Sequence, residues 1–302
     1  MQGTDGQGLL FSQPTRARAE TVRSRKRSSA ETRGRLHPRN QLNELTGTEW
    51  IRFTRSWFVV NPPRRSRSEI QHPAKFPEDL VDSFIRFFTR RGQWVLDPFA
   101  GVGSTLSSAR SLGRRAAGVE LSPRYYELAR QQLGPDSPEL RLHHGDAREV
   151  SSLGLPPVDF VMTSPPYWDM LANSRGNVLS VHKKRRAAGL DVVYSHEPGD
   201  LGNLTDYEGF LAELTSIFRG VVGMLKTGGY LVVVIQNLRS PQGRMVPLAW
   251  DLARELDRFV VFKGERIWCQ DNKPLGIWGY PSEFVSNVHH HYCLVFKKSV
   301  LP

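Results

Sequence analysis

Tyr230-Leu231-Val232-Val233-Val234-Ile235 is an unbroken run of apolar, mostly β-branched residues. A strand with one wet face alternates apolar and polar side chains. A run without alternation is buried on both faces, as happens in parallel sheets covered by helices. The flanking patterns agree. Strands are expected over Gln93–Asp97, Ala116–Glu120, Leu140–His144, Val158–Met162, Tyr230–Ile235, Phe259–Trp268 and His290–Phe296. Helical spacing separates them at Glu78–Arg90, Ser104–Leu112, Pro123–Leu133, Tyr207–Leu225 and Val246–Leu256, with Gly228-Gly229 as the stop of the long Tyr207 helix. Alternating strand and helix with buried strands gives an α/β fold built on a doubly wound, mostly parallel sheet. Ligands of such sheets bind beyond the carboxyl ends of the strands.

The ends of these strands carry the chemistry. Asp97-Pro98-Phe99-Ala100-Gly101-Val102-Gly103-Ser104-Thr105 reads as a strand end, a glycine-rich turn and a helix start. Glycines there let the backbone approach a ligand, and Ser104 or Thr105 can cap the helix while its first amides face polar groups. No third glycine follows at dinucleotide spacing, and no Gly-Lys-Ser/Thr gives a phosphate-cradling loop. Glu120 closes the next strand, where an acid can accept from a ribose diol. Asp146, in His144-Gly145-Asp146-Ala147, closes the third, within reach of an adenine amino group. One such acid is ordinarily a surface carboxylate; successive strand ends forming a nucleoside-shaped set are a stronger signal. The strand Val158–Met162 runs into Thr163-Ser164-Pro165-Pro166-Tyr167-Trp168. Its prolines have fixed φ and no N–H, so their carbonyls can point outward beside a polar Ser164 and a planar Tyr167. That layout suits an exocyclic amino group on a flat base, although such a string taken alone is usually a loop.

Composition bounds the partners. The chain has 302 residues with 41 Lys and Arg against 30 Asp and Glu, a formal charge of +11. That excess is a footprint for a polyanion, nucleic acid first. Residues 1–40 hold nine of the cations against three acids and almost no large apolar side chains. Residues 1–44 are therefore expected to form a basic disordered arm, with Arg25, Lys26 and Arg27 available to phosphate. Residues 45–302 are expected to form one folded domain, the catalytic one if the strand-end motifs carry chemistry. Asp169 to Thr205 interrupts the alternation and contains Lys183, Lys184, Arg185 and Arg186; an excursion of that length and charge suggests a DNA-recognition insertion at about 169–205. Cys269 and Cys293 are too few for a disulfide framework. No apolar run approaches the ~20 residues that span a bilayer, so no membrane partner is expected. The chain is expected to be cytoplasmic, and nucleoid-associated in a prokaryote.

The combination of the glycine turn at Asp97–Thr105 with Ser164-Pro165-Pro166-Tyr167 resembles the amino-group DNA methyltransferases, whose fold is the Rossmann-like class I methyltransferase fold and whose cofactor is S-adenosyl-L-methionine. The resemblance covers roughly residues 45–298. The serine that opens the tetrad resembles the cytosine-N4 branch, where the adenine-N6 branch has aspartate. His72-Pro73-Ala74-Lys75-Phe76-Pro77 is similar to the segment packing over the methionine half of the cofactor, and His290–Lys298 to the closing strand. Many cytosine-N4 enzymes place the tetrad before the cofactor turn; this chain reverses that order. Asn61-Pro62-Pro63 would restore it, but Arg64 stands where the stacking ring belongs.

The resemblance implies catalysis by Ser164, Pro165, Pro166 and Tyr167. It implies a cofactor site formed by Lys75, Phe76, Asp97, Pro98, Phe99, Ala100, Gly101, Gly103, Ser104, Thr105, Glu120, Leu121, Asp146 and Ala147. The substrate it implies is double-stranded DNA with the target base rotated out of the duplex, and it leaves room for a cognate restriction endonuclease. Cytosine-C5 chemistry would need a reactive thiolate, and Cys269 and Cys293 read as structural. His289-His290-His291 cannot converge on a metal, because successive strand residues face opposite ways. Three alternatives stand beside cytosine N4: adenine N6, an RNA amino group, and a non-catalytic cofactor sensor on DNA.

Overall fold

The computed structural model describes residues 34–61, 77–166, 168, 199–204, 206–239, 244–277 and 279–299. Ten strands and six α-helices lie among them. The strands are β1 (Trp57–Val59), β2 (Trp94–Asp97), β3 (Arg115–Glu120), β4 (Leu140–His144), β5 (Val158–Thr163), β6 (Leu225–Ile235), β7 (Leu238–Arg239), β8 (Met245–Val246), β9 (Val261–Cys269) and β10 (His290–Lys297). The helices are α1 (Gly47–Phe53), α2 (Glu78–Phe88), α3 (Ser104–Ser111), α4 (Pro123–Leu133), α5 (Tyr207–Met224) and α6 (Leu248–Leu256).

Eight strands form one sheet in the order β1-β9-β10-β6-β5-β2-β3-β4. Every pairing is parallel except those of β10, which runs antiparallel to both β6 and β9. The unbroken apolar run of β6 behaves as its composition requires. Leu231, Val233 and Ile235 pack on one face with α5 and α6, while Val232 and Val234 pack on the other with α2, α3 and α4. The sheet is thus covered on both sides, and its order reverses direction between β2 and β5, where β2 has β3 on one side and β5 on the other. This is the doubly wound, Rossmann-like arrangement expected.

Local chemistry sets the helix starts. Thr46 and Glu49 form a capping box on α1, Ser122 caps α4 ahead of Pro123, and Asp206 accepts from the Gly209 amide at the start of α5. Several boundaries differ from the sequence reading, most by one or two residues. α5 ends at Met224 and β6 begins at the next residue, so Gly228 and Gly229 lie inside the strand rather than ending the helix. The ladder they share with Lys298 explains it: Gly228 N–H donates to the Lys298 carbonyl, and Lys298 N–H to that of Gly229. A Cβ at Gly229 would stand 2.7 Å from the Asp159 carbonyl oxygen. α6 starts at Leu248 because Pro247 disfavours a helical backbone at Val246, and Met245–Val246 instead pairs with Leu238–Arg239.

Of the arm expected over residues 1–44, residues 34–44 are described and are not free of the domain. Asn43 is fully buried and donates through Nδ2 to the Phe87 carbonyl at 2.6 Å, and Glu44 lies 3.6 Å from Arg114. Asn43 and Glu44 are therefore packed against the same domain as the residues that follow. α1 then packs its aromatics on α2, with Phe53 stacked on Phe87 at 4.0 Å and the Arg266 guanidinium over Phe53 and Phe58 at 4.0 and 4.3 Å.

Candidate functional site

The carboxyl ends of β2, β3, β4 and β5 bring Asp97, Glu120, Asp146 and Ser164 to one edge of the sheet. Asp97, the last residue of β2, is buried. Its Oδ1 accepts from the Thr163 hydroxyl at 2.6 Å and from the Phe99 amide at 3.1 Å. Burial pushes its carboxyl up to about 6, and the Thr163 bond pulls the other way. Thr163 ends β5, and Ser164 follows it. The glycine turn and the Ser-Pro-Pro turn are therefore joined by one short hydrogen bond between neighbouring parallel strands. Thr163 was not among the expected site residues. Its position before Ser164 was the available signal.

Glu120 ends β3 and reaches back to the glycine turn. Oε2 accepts from the Gly101 amide at 2.7 Å and Oε1 from the Ser122 amide at 2.8 Å. Burial raises its carboxyl to about 7; the two amides lower it, and the charges of Asp97 and Asp200 raise it further. Gly103, with φ of +83°, caps α3. Neither Ser104 nor Thr105 caps that helix: Gly103 holds the N-cap with no side-chain bond, so Ser104 is the first helical residue. A left-handed backbone at residue 103 favours glycine. Gly118 beneath the turn is equally constrained, since a Cβ would stand 2.9 Å from Leu106 Cδ2 and 3.1 Å from Ala100 Cβ. The side chains of Pro98, Ala100, Ser104 and Thr105 are buried under the turn, with Phe99, Gly101 and Leu121 half-buried at its rim.

Asp146 lies just past β4, with Ala147 buried behind it. Its Oδ1 accepts from the Arg148 amide at 2.9 Å and its Oδ2 from Arg148 Nη1 at 2.7 Å. The same guanidinium donates to the Gly199 carbonyl at 2.8 Å and to Glu213 on α5 at 3.1 Å. A Cβ at Gly199 would stand 3.0 Å from Asp146 Oδ2. Arg148 thus fixes the third acid against the segment that leads into α5, a role the sequence did not suggest.

At the Ser-Pro-Pro turn, Pro165 is buried and Ser164 and Pro166 are half-buried. Trp168 meets Tyr207 edge to face at 5.2 Å, and the Tyr207 hydroxyl donates to Asp251 Oδ2 at 2.7 Å. Burial and then the Asp251 carboxylate push the Tyr207 hydroxyl upward, so it stays a donor. Tyr167, Lys75, Phe76, Arg25, Lys26, Arg27, Lys183, Lys184, Arg185 and Arg186 lie outside the described residues. So do Pro62, Pro63 and Arg64; Asn61 donates to Asp271 Oδ1 at 2.6 Å.

Cys293, His290 and His291 sit among packed side chains. Cys293 is wholly buried and its thiol is pushed up to about 12. His291 stacks on Trp268 at 4.5 Å with burial holding it down at about 3, while His290 meets Tyr292 on the opposite face. Among the described residues no helix is long and apolar enough to cross a membrane.

The family model described as DNA methylase, of the N6/N4 type, matches residues 12–131. This chain is similar to the N6/N4 DNA methylases. The matched stretch holds the glycine turn and Glu120 and ends before Ser164. The orphan methyltransferase M.BamHII of Bacillus amyloliquefaciens is 34% identical over 102 residues, 33% of this chain and 37% of that protein. The type II methyltransferase M.BglII of Bacillus subtilis is 32% identical over 83 residues, 28% of this chain and 23% of that protein. The alignments thus span little more than a third of these relatives' length at most. Among solved structures, TrmN from Thermus thermophilus superposes with a TM-score of 0.48 at 18% identity, covering 75% of this chain and 50% of that one.

Proposed function

We propose that this chain is a DNA methyltransferase that moves a methyl group from S-adenosyl-L-methionine to the exocyclic N4 of cytosine. The observation that carries the reading is the Thr163–Asp97 hydrogen bond. It ties a turn suited to a nucleoside cofactor to a turn suited to an amino group, on adjacent strand ends. Similarity of residues 12–131 to DNA methylases supports the cofactor half of that pairing.

The residues present fit the cofactor. Half-buried Gly101 carries no side chain at the rim of the turn, and Gly103, also with positive φ, lets the turn pack on α4, where a Cβ would stand 2.8 Å from Leu133 Cδ1. Glu120 offers carboxylate lone pairs to a ribose diol, and Asp146 offers them to an adenine amino group. When bound, S-adenosyl-L-methionine supplies an electrophilic methyl group on a sulfonium centre. Lys75 and Phe76 would cover its methionine half.

Cytosine N4 is a weak nucleophile because its lone pair is delocalised into the ring. Ser164 Oγ and the Pro165 carbonyl accept its two N–H groups, which draws the nitrogen towards sp³ character and aims its lone pair. Tyr167 stacks on the base, offsetting part of the unstacking cost of a few kcal/mol. Positioning and polarisation do the work, without a covalent enzyme intermediate. A serine hydroxyl is a weak base, so the surplus proton leaves to water. The basic residues of the arm and of the 169–205 insertion hold the phosphate backbone.

The test is expression in a host free of DNA methylation, followed by single-base mapping of N4-methylcytosine and N6-methyladenine. N4-methylcytosine at a recurring sequence is the expected result. N6-methyladenine alone would move the assignment to adenine, and neither mark would remove DNA as the substrate.

A further inference from the structure

The connection between β9 and β10, residues 270–289, exposes four large apolar side chains: Leu275 at 77%, Ile277 at 86%, Tyr280 at 82% and Phe284 at 93% of their full accessible surface. Isolated exposed apolar residues are ordinary, but four within ten positions of one connection are not. The connection is also built to hold them out. Asn287 clamps Gly276 from both sides, accepting from its amide at 2.8 Å and donating to its carbonyl at 3.1 Å. Ser282 and Glu283 amides both donate to the Gly279 carbonyl. A Cβ at Gly279 would stand 2.6 Å from the Glu283 carbonyl oxygen. Leu275 and Ile277 flank the first brace, and Tyr280 and Phe284 flank the second.

Topology places this connection on the sheet. β9 runs parallel to its neighbour β1, and β10 runs against β6 and β9, so the connection emerges at the same carboxyl edge as Ser164. Three strand spacings separate β9 from β5. At about 4.8 Å each, that is ~14 Å, less than the width of a duplex. Residues 270–289 contain Asp271, Lys273 and Glu283, so the connection has no excess positive charge for phosphate. Apolar and aromatic wedges of this kind suit the faces of bases.

We propose that Leu275, Ile277, Tyr280 and Phe284 enter the base stack of DNA beside the candidate methyl-acceptor turn, with Ile277 and Phe284 filling the gap that a displaced base leaves. The inference rests on the reading of the chain as a DNA methyltransferase. A second copy of the chain is the less fitting occupant, because a chain of charge +11 repels its own kind.

The test uses the full chain and the Ile277→Ser/Phe284→Ser double variant, both changes being at exposed positions. Fluorescence anisotropy compares a short labelled duplex carrying a central mismatched bubble with the same duplex fully paired. The wild type is expected to prefer the bubble by about 10-fold, the loss expected for one base-stacking contact. In the variant that preference falls to near unity, while affinity for the paired duplex stays within about twofold. A preference retained by the variant overturns the proposal, as does a wild type without one. Equal loss on both duplexes also overturns it, because the wedge would then serve the fold or the backbone contact. Sedimentation showing a dimer that the variant dissolves, with the bubble preference untouched, assigns the surface to a second copy instead. Methyl transfer to DNA, measured in parallel with labelled cofactor, separates the two readings: a wild type that methylates DNA without preferring the bubble fails this inference alone.

Discussion

The Thr163 hydroxyl donates to Asp97 Oδ1 at 2.6 Å, and neither residue is exposed to solvent. Asp97 begins the glycine turn and Thr163 precedes Ser164, so the distance between the two candidate half-sites depends on this bond.

Thr163→Val keeps the shape of the side chain and removes the donor. Losing a hydrogen bond to a charged, buried group costs roughly 1.5–3 kcal/mol. Because the Asp97 carboxyl sits at about 6, the cost should be largest well above that pH, where the carboxylate is ionised, and smaller below it. Urea unfolding at both ends of that range checks the expectation. An equal cost at both would mean that the bond contributes nothing specific to the ionised form.

On the proposed function, Ser164→Ala should leave the cofactor's affinity untouched, since Ser164 is placed in the acceptor turn. Methyl transfer should fall by about 10²- to 10³-fold, the usual consequence of deleting one well-placed polarising group. Single-turnover transfer and calorimetric titration of the cofactor separate the two effects. A large loss of cofactor affinity would contradict the division of labour between the turns.

Glu120 predicts a pH dependence. Its carboxyl is raised from 4.5 to about 7, so between those values the folded chain holds a proton that the unfolded chain has released. Its contribution to folding stability is therefore greatest below the unfolded value and is lost as pH rises through that window. Ribose hydroxyls donating to the carboxylate favour its ionised form, so cofactor affinity should rise as pH climbs through about 7, with uptake of the cofactor releasing a proton. Glu120→Gln should flatten that profile and weaken binding at its upper end. A wild-type affinity independent of pH across the window would exclude Glu120 as the ribose ligand.

Arg148 is the residue to change for the third acid. Arg148→Met keeps the length of the side chain but releases Asp146, Gly199 and Glu213 together. Cofactor affinity should fall by about 10-fold, in line with one lost charge-assisted bond network at a half-exposed position. Arg148→Lys, which keeps the charge and loses the fork, should recover only part of it. Full recovery by lysine would mean that charge alone matters.

The fold was legible because its strands are either unbroken apolar runs or end in recognisable turns. Leu231 to Ile235 could be assigned without knowing their partners. The glycine turn, Glu120 and Asp146 could be placed because each follows a strand, and strand ends are where such sheets bind ligands. What the sequence hid was long-range and cooperative. Thr163 reaches Asp97 across 66 residues, and Tyr207 reaches Asp251 across 44. Arg148 is a surface-looking arginine until Gly199 is brought beside it from 51 residues away. The glycines at 228 and 229 misled because a helix stop and a strand ladder closed by Lys298 share the same residue type. Asn43 was hidden in a polar arm, since its single buried bond leaves no apolar pattern to read.

β10 runs against its neighbours, and that reversal separates the two margins of the sheet. The chain enters β10 at the edge that carries Ser164 and leaves it at the opposite one, where the Lys298 ammonium grips the carbonyls of Val222, Gly223 and Leu225 at the end of α5. Lys298 therefore lies at the margin of the sheet opposite Ser164. A fluorophore or surface tether placed there would hold the protein with its strand-end face turned outward, open to a long nucleic acid approaching from solution.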